Sequence, residues 1–376
     1  MAEPSNNPPP SRLQRLLGFL EQDAGNLSLL AEAAEAALAE REPQTAKELL
    51  DRYAAITPWG DREIELAGRA SLETGAYEEA AARYGELLAA HPADPALKFN
   101  RAFALAMLKR FEQSLALLDE AVAMALAPAA ALKVQLLHEL GRFDEAADHA
   151  RLYVQHHPDH RGLMAAVSVL AVDVEDFELA RACAQKAGDH PDALTTLAML
   201  ALAESRDDDA AAMFDRALMQ NESSPRAWIG KGLTELAAGA YRQAARDIER
   251  GAELFGDHIG SWIALGWARL LSEDLPAARA AFQHALELDR NFAESHGSLA
   301  VVMILEGCPE NAKAMAETAL RLDRKSFAGA LARALLLEAE GKPELAQSIV
   351  ERALNTPIDA TGATVAQALA KRALFA

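Results

Sequence analysis

The chain has few cysteines, few aromatic residues and no excess of positive charge. Its two cysteines, Cys183 and Cys308, lie far apart and belong to no CxxC or Cys–His pattern, which argues against a disulfide framework or a zinc knuckle. The 37 Lys and Arg against 56 Asp and Glu leave a net charge of −19, which repels phosphate and argues against nucleic-acid binding. These absences predict a cytoplasmic protein that does not bind nucleic acid.

The sequence also lacks a long apolar run. The longest runs, such as Leu299 to Leu305, are far shorter than the roughly 20 residues that span a bilayer. Residues 1–10 contain no cationic stretch followed by an apolar one, so they predict neither a signal peptide nor an anchor. Their four prolines predict a disordered tail over 1–10.

Alanine is what the chain has in abundance, with 84 of the 376 residues, beside many Leu and Glu. These residues are strong helix formers, and a hydrophobic fraction of 51% is sufficient for a packed core. The composition therefore predicts an all-α globular protein.

A small residue recurs at a nearly constant interval along the chain. Seven of the nine intervals are 34 residues, and the exceptions are 32 and 30. A constant period of this size is the signature of a repeat array. The positions are Ala46, Ala80, Ser114, Ala146, Ala180, Ala210, Ala244, Ala278, Ala312 and Ala346.

Two further columns of equivalent positions recur at the same 34-residue interval. Trp228 and Trp262 are 34 residues apart and are followed by His296 and Ala330. Glycines fall between the two halves of their repeats, where a turn between helices needs positive φ. These glycines are Gly239, Gly307 and Gly341.

The columns resemble the tetratricopeptide repeat, a 34-residue helix–turn–helix that opens with Trp-x2-Leu-Gly-x2-Tyr and has later Ala and Phe positions. One repeat contains Trp228, Gly232, Gly239, Tyr241 and Ala244, and the next contains Trp262, Leu265, Gly266, Ala278, Phe282 and Ala285. Ten repeats begin at Leu27, Asp61, Pro95, Ala127, Arg161, Pro191, Pro225, Ile259, Ala293 and Phe327. The resemblance covers about nine-tenths of the chain and implies a right-handed α-solenoid of helical hairpins.

The repeat boundaries predict the domain organisation. An amphipathic cap helix is expected within 11–26, repeats 1–4 over 27–160, repeats 5–10 over 161–357 and a second cap helix within 358–376. The fifth repeat has lost four residues, which should shorten a helix or its turn. We expect the array to divide at this point.

No sequence motif of an enzyme emerges. The chain has no phosphate-binding loop, no GxSxG, no HExxH and no EF-hand loop. His156, His157 and His160 form a string that could bind metal, but the string coincides with a turn between repeats. We therefore predict no catalysis, no cofactor and no metal. Both cysteines are expected to be buried structural thiols.

The resemblance implies that the first helix of each repeat lines a concave groove through its positions 2, 5, 9, 12 and 13. In this chain that stripe is mostly apolar, and its candidate protein-binding residues are Phe99, Phe103, Met107, Met199, Ile229, Leu233, Ile263, Trp267, Leu271 and Val301. In the first two repeats it is charged, and Arg62, Glu65 and Arg69 are candidates for a polar rim. At positions 12 and 13, Leu202, Leu236, Leu270 and Ile304 fit the groove or the core equally well.

The remaining tryptophans divide into two groups. Trp228 and Trp262 match the packing consensus of the resembled repeat, so they are assigned to structure. Trp59 follows Pro58 in a loop and fits either a capping contact or an exposed binding aromatic.

The predicted function is a non-catalytic scaffold or adaptor that binds a helix or an extended hydrophobic segment of a protein in the groove. The Lys and Asn set by which some members of the family grip a terminal carboxylate is absent. The acidic surface favours a partner with basic flanks. Two alternatives stay open, a self-assembling structural module that forms homo-oligomers and a regulatory subunit that recruits a catalytic chain.

Overall fold

A computed structural model describes residues 10–356 of the chain. Within this range all regular structure is helical, in 22 α-helices. The predicted tail, except Pro10, and the predicted cap helix within 358–376 lie outside the described residues. The described residues form two compact units, which we call the N-terminal unit, ending at Asp176, and the C-terminal unit, beginning at Phe177.

The N-terminal unit consists of helices α1 to α11. Their bounds are α1 Arg12–Gln22, α2 Leu27–Ala39, α3 Pro43–Ala54, α4 Asp61–Glu73, α5 Tyr77–Ala90, α6 Pro95–Met107, α7 Phe111–Leu115, α8 Glu120–Ala125, α9 Ala127–Glu139, α10 Phe143–His156 and α11 Arg161–Asp173.

The C-terminal unit consists of helices α12 to α22. Their bounds are α12 Phe177–Ala187, α13 Pro191–Ala203, α14 Asp207–Gln220, α15 Pro225–Ala237, α16 Tyr241–Phe255, α17 Ile259–Leu271, α18 Leu275–Leu288, α19 Ala293–Leu305, α20 Pro309–Leu322, α21 Phe327–Ala339 and α22 Pro343–Leu354. Apart from its first helix, the unit is a stack of antiparallel hairpins, as in an α-solenoid.

The first helix of every repeat begins at the residue that the 34-residue period predicts. Local chemistry explains these starts. Most are preceded by a side chain that accepts the backbone N–H of the first turn, such as Ser224 before α15 and His258 before α17. Pro95, Pro191 and Pro225 stand at the first helical position, where the missing N–H has no cost.

The predicted small-residue column is buried at all ten positions. A small side chain there lets the two helices of a hairpin approach closely. Glycines on the first helices extend the same close contact. A Cβ on Gly266 would lie 2.3 Å from the Phe282 ring, and one on Gly232 would lie 2.4 Å from Ile248. The column is therefore the packing seam of the hairpins.

The turn inside each hairpin has one residue with positive φ, fifteen positions along the repeat. The prediction for Gly239, Gly307 and Gly341 is confirmed, with φ between 76° and 79°. Five repeats place a residue other than glycine there, at φ between 58° and 67°: Arg41, Lys109, Glu175, Ser205 and Glu273. The turn geometry is thus shared by repeats whose sequence gives no glycine signal.

Two repeats depart from the uniform hairpin. In the third, the second helix is split into the short helices α7 and α8, where the interval shrinks to 32 residues. The Ser114 hydroxyl donates to the Ala102 carbonyl at 2.6 Å. A new helix, α8, then begins after its N-cap residue Asp119. In the fifth, α12 has only 11 residues, which confirms the expected shortening. The boundary between the compact units falls inside this repeat, and the predicted division before Arg161 stays a prediction.

Candidate protein-binding surface

The first helices of four successive repeats in the C-terminal unit lie side by side, since α13 contacts α15, α15 contacts α17 and α17 contacts α19. They bring together most of the predicted groove residues of this unit. We call this set the C-terminal stripe. Its members are the predicted residues Met199, Ile229, Leu233, Ile263, Trp267 and Leu271, together with Leu305 at the last position of α19.

Three leucines of the stripe are exposed on the first helices of three successive repeats. Leu233 on α15 is 36% exposed, Leu271 on α17 is 45% exposed, and Leu305 on α19 is 50% exposed. Single exposed leucines are common on protein surfaces, but a row beside further apolar side chains is a feature of binding sites.

The other members of the stripe are half-buried and contact the core. Trp267 packs edge-on against Phe282, with 5.7 Å between ring centroids. Ile229, Ile263 and Met199 also pack against buried clusters. These residues lie on the same first helices as the exposed leucines or on the neighbouring α13, and the core covers them in part.

Two expectations need correction. Val301 is only 3% exposed and belongs to the core, because the helix faces that carry it are covered by α20 and α21. Cys308 is exposed because it is the N-cap residue in the turn before α20, whereas Cys183 is buried as expected.

The residues at positions 12 and 13 whose role stayed open contact the core. All four are half-buried against hydrophobic clusters of the C-terminal unit. They support the packing of the hairpins, and only part of each side chain is accessible to a partner. These residues are Leu202, Leu236, Leu270 and Ile304.

In the N-terminal unit, the predicted apolar residues lie on α6 alone. Phe103 is 37% exposed, Met107 is 48% exposed, and Phe99 is half-buried 6.4 Å from the Phe103 ring. At the corresponding places on α9 the chain has Gln135 and Glu139. Among the first helices of the repeats in this unit, only α6 therefore exposes large hydrophobic side chains.

The three candidates for a polar rim lie on α4 of the N-terminal unit. Arg62, Glu65 and Arg69 are all exposed. The Arg62 guanidinium donates to the Glu35 carboxylate of α2 at 2.7 Å, and this hydrogen bond raises the pKa of Arg62. This surface is polar and is held in part by its own ion pair.

The tryptophan column has a structural role. The indole N–H groups of Trp228 and Trp262 donate to the carbonyls of Glu222 and Gly256, six residues earlier, at 2.8 and 2.7 Å. In the next repeat His296 makes the same contact from its Nε2, at 2.8 Å to the Arg290 carbonyl. The side chain at this position therefore ties the turn between repeats to the helix that follows.

Trp59 also makes a structural contact. Its indole N–H donates to the Leu50 carbonyl at 3.1 Å, and the Arg83 guanidinium lies 4.5 Å from the ring centroid. The ring is half-buried against the core around α2 and α3. Of the two readings left open by the sequence, the capping contact is the one that the structure shows.

The histidine string is part of a turn. The His157 Nε2 donates to the Ala123 carbonyl at 2.9 Å, and the His160 Nδ1 accepts the Leu163 N–H at the start of α11. Among residues 10–356 no group of three or more His, Cys, Asp or Glu side chains is placed to hold a metal ion. In the same range, no helix combines the length and the apolar character needed to cross a membrane.

Comparison with known proteins agrees with this geometry. The family model described as tetratricopeptide repeat matches residues 66–131 and 195–259, one region in each compact unit. No curated protein sequence matches the chain significantly. The chain therefore carries tetratricopeptide repeats in both of these regions.

Solved structures share the fold at low sequence identity. A human IFIT1 dimer with m7Gppp-AAAA is 14% identical, with a TM-score of 0.52 over 92% of this chain and 94% of that one. A monomeric IFIT1 mutant with Gppp-AAAA is 13% identical, with a TM-score of 0.53 over 90% and 93%. The protein MamA is 19% identical over 41% of this chain and 90% of its own, with a TM-score of 0.34.

The repeat defines the general class of protein. Stacked helical hairpins of this kind build extended surfaces that bind other proteins, and they are typically non-catalytic. The chain is accordingly a protein–protein interaction scaffold in this general sense.

Proposed function

We propose that the chain binds an apolar segment of another protein, an amphipathic helix or an extended strand, on the C-terminal stripe. The observation that carries this proposal is the row of exposed Leu233, Leu271 and Leu305 on helices that contact one another. Apolar anchors that enter a preorganised surface supply most of the affinity in such complexes.

Charge favours partners with basic residues beside their apolar anchors. The net charge of −19 attracts a basic partner and speeds its encounter with the chain. Affinity is therefore expected to fall with rising salt concentration, while the apolar contribution stays.

The RNA ligands of the IFIT1 structures are not part of this proposal. Identities of 13 and 14% support a common fold only. A chain with net charge −19 has no general attraction for phosphate. A protein segment fits both the apolar stripe and the charge.

The test substitutes glutamate for two exposed leucines, Leu271→Glu together with Leu305→Glu. Burying a carboxylate against an apolar partner is costly, so we expect at least about a tenfold loss of the partner retained from native lysate. The matched control is Leu254→Glu with Leu288→Glu, because these leucines are also exposed, at 36% and 37%, but lie at the ends of second helices.

The outcomes separate the alternatives. Loss in the stripe variant with retention in the control, both folded by circular dichroism, supports the proposal. Equal retention by both variants contradicts it. If the wild-type mass measured by light scattering doubles with concentration and the stripe variant stays monomeric, the stripe pairs with a second copy. A catalytic chain retained in one-to-one ratio would indicate a regulatory subunit.

A further inference from the structure

A pair of acidic side chains lies between the two helices of the seventh repeat. Glu235 near the end of α15 and Asp247 in the middle of α16 are within hydrogen-bonding reach of each other. Asp247 is only 7% exposed. The consensus residue at the position of Glu235 is an aromatic one, so this carboxyl group replaces a packing side chain.

The hydrogen bonds of the pair are incomplete. The Gln243 side-chain amide donates to Asp247 Oδ1 at 3.0 Å. Two of the other three oxygens, Glu235 Oε2 and Asp247 Oδ2, are buried and have no hydrogen-bond partner among the described residues. Two ionised carboxylates have only acceptor oxygens and cannot satisfy each other, whereas one shared proton supplies the missing donor to both.

The cations near the pair each have another partner that they contact more closely. On α15, the Lys231 ammonium is 3.9 Å from Asp247 Oδ2 but only 2.8 Å from the carboxylate of Asp215 on α14. Asp215 is therefore its closer partner. On α16, Arg246 donates to the Gln243 side chain. On α17, Arg269 is bound by Glu249 at 2.6 Å.

We propose that Glu235 and Asp247 hold one proton between them near neutral pH and that loss of this proton loosens the α15–α16 hairpin. Burial and the adjacent Asp247 carboxylate raise the pKa of Glu235 to about 7, in agreement with this arrangement. Because α15 carries Ile229 and Leu233, the hairpin couples proton loss to the C-terminal stripe. This coupling rests on the proposed function, but the shared proton does not.

The sign of the effect follows from the raised pKa. A carboxyl group that holds its proton more tightly in the folded state stabilises that state below its ordinary pKa near 4.5. That contribution is lost as the pH rises through about 7. The hairpin is therefore most stable in mild acid and weakest above pH 8.

The first experiment measures hydrogen exchange of the α15 and α16 amides from pH 6 to 8.5, corrected for the intrinsic rate. Protection in the wild type should fall about tenfold over this range. Glu235→Gln should remove the fall, because the amide donates to Asp247 at every pH. Glu253→Gln, a change of an exposed carboxylate on α16, should keep it. A fall of equal size in Glu235→Gln would overturn the proposal.

A direct titration provides an independent reading. The side-chain carboxyl carbon of Glu235, followed by NMR, should titrate near neutral pH. Asp247→Asn should return this midpoint towards 4.5, and a wild-type midpoint there would overturn the proposal. Neither the exchange experiment nor the titration needs a binding partner. Both can therefore contradict the shared proton while the leucine substitutions still support the C-terminal stripe as a binding surface. If protection falls with pH but partner affinity does not change, the shared proton stands and its coupling to binding is refuted.

Discussion

The two compact units are built from the same hairpin but present different first-helix surfaces. In the C-terminal unit, three contacting helices each expose a leucine beside half-buried apolar side chains. Among the first helices of the repeats in the N-terminal unit, only α6 exposes large hydrophobic side chains, and α4 exposes Arg62, Glu65 and Arg69. The packing seam is common to both units, since the small-residue column is buried in all ten repeats.

This contrast shows how a repeat separates stability from recognition. Positions in the seam are restricted because a larger side chain would collide with the opposite helix, as at Gly232 and Gly266. The exposed positions of the stripe, such as Leu271 and Leu305, are only partly covered and can vary in charge and size. Differences between the units at these positions therefore report on binding more than on folding.

The largest expected effect compares the ninth position of the first helix in both units. Trp267→Ala should lower the free energy of unfolding by about 2–4 kcal/mol, because the indole packs on Phe282 and two core clusters. Phe103→Ala should cost about 1 kcal/mol or less, because Phe103 is more than one-third exposed. Urea unfolding measures both. Equal losses would mean that the ninth position is packed alike in the two units. That result would contradict the difference between their first-helix surfaces.

A smaller effect compares one seam glycine in each unit. A Cβ on Gly266 would lie 2.3 Å from the Phe282 ring, and a Cβ on Gly68 would lie 2.9 Å from the Tyr84 ring. Gly266→Ala should destabilise by about 1–3 kcal/mol because a buried ring must move. Gly68→Ala needs a smaller shift, and the better helix propensity of alanine, about 1 kcal/mol, offsets it. Thermal unfolding of the two variants checks this, and a stabilised Gly266→Ala would contradict the close packing of the seam.

The fold could be predicted from the sequence because its signals are local and repeated. Most first helices start at a capping residue or proline that recurs with the 34-residue period, and the seam shows as a column of alanines with one serine. The split second helix of the third repeat was not predictable in the same way. A deletion of two residues can be absorbed at many places, and the Ser114 hydrogen bond that marks the place depends on tertiary packing.

The candidate site was less predictable than the fold. Spacing places Val301 and Trp267 at the same position of their repeats, yet Val301 is buried and Trp267 is only half-buried. The neighbours that cover a position come from other helices, which one helical period does not describe. The pairing of Glu235 with Asp247 likewise requires two helices and had no sequence signal.

The most direct measurement places a photo-crosslinking amino acid at single positions and exposes the protein to native lysate. We expect adducts with one protein from positions 271 and 305 of the C-terminal stripe. No adduct should form from position 69, which is charged in the N-terminal unit, or from position 288 at the end of α18. Adducts from 69 or 288 and none from 271 or 305 would contradict the C-terminal stripe as the binding surface.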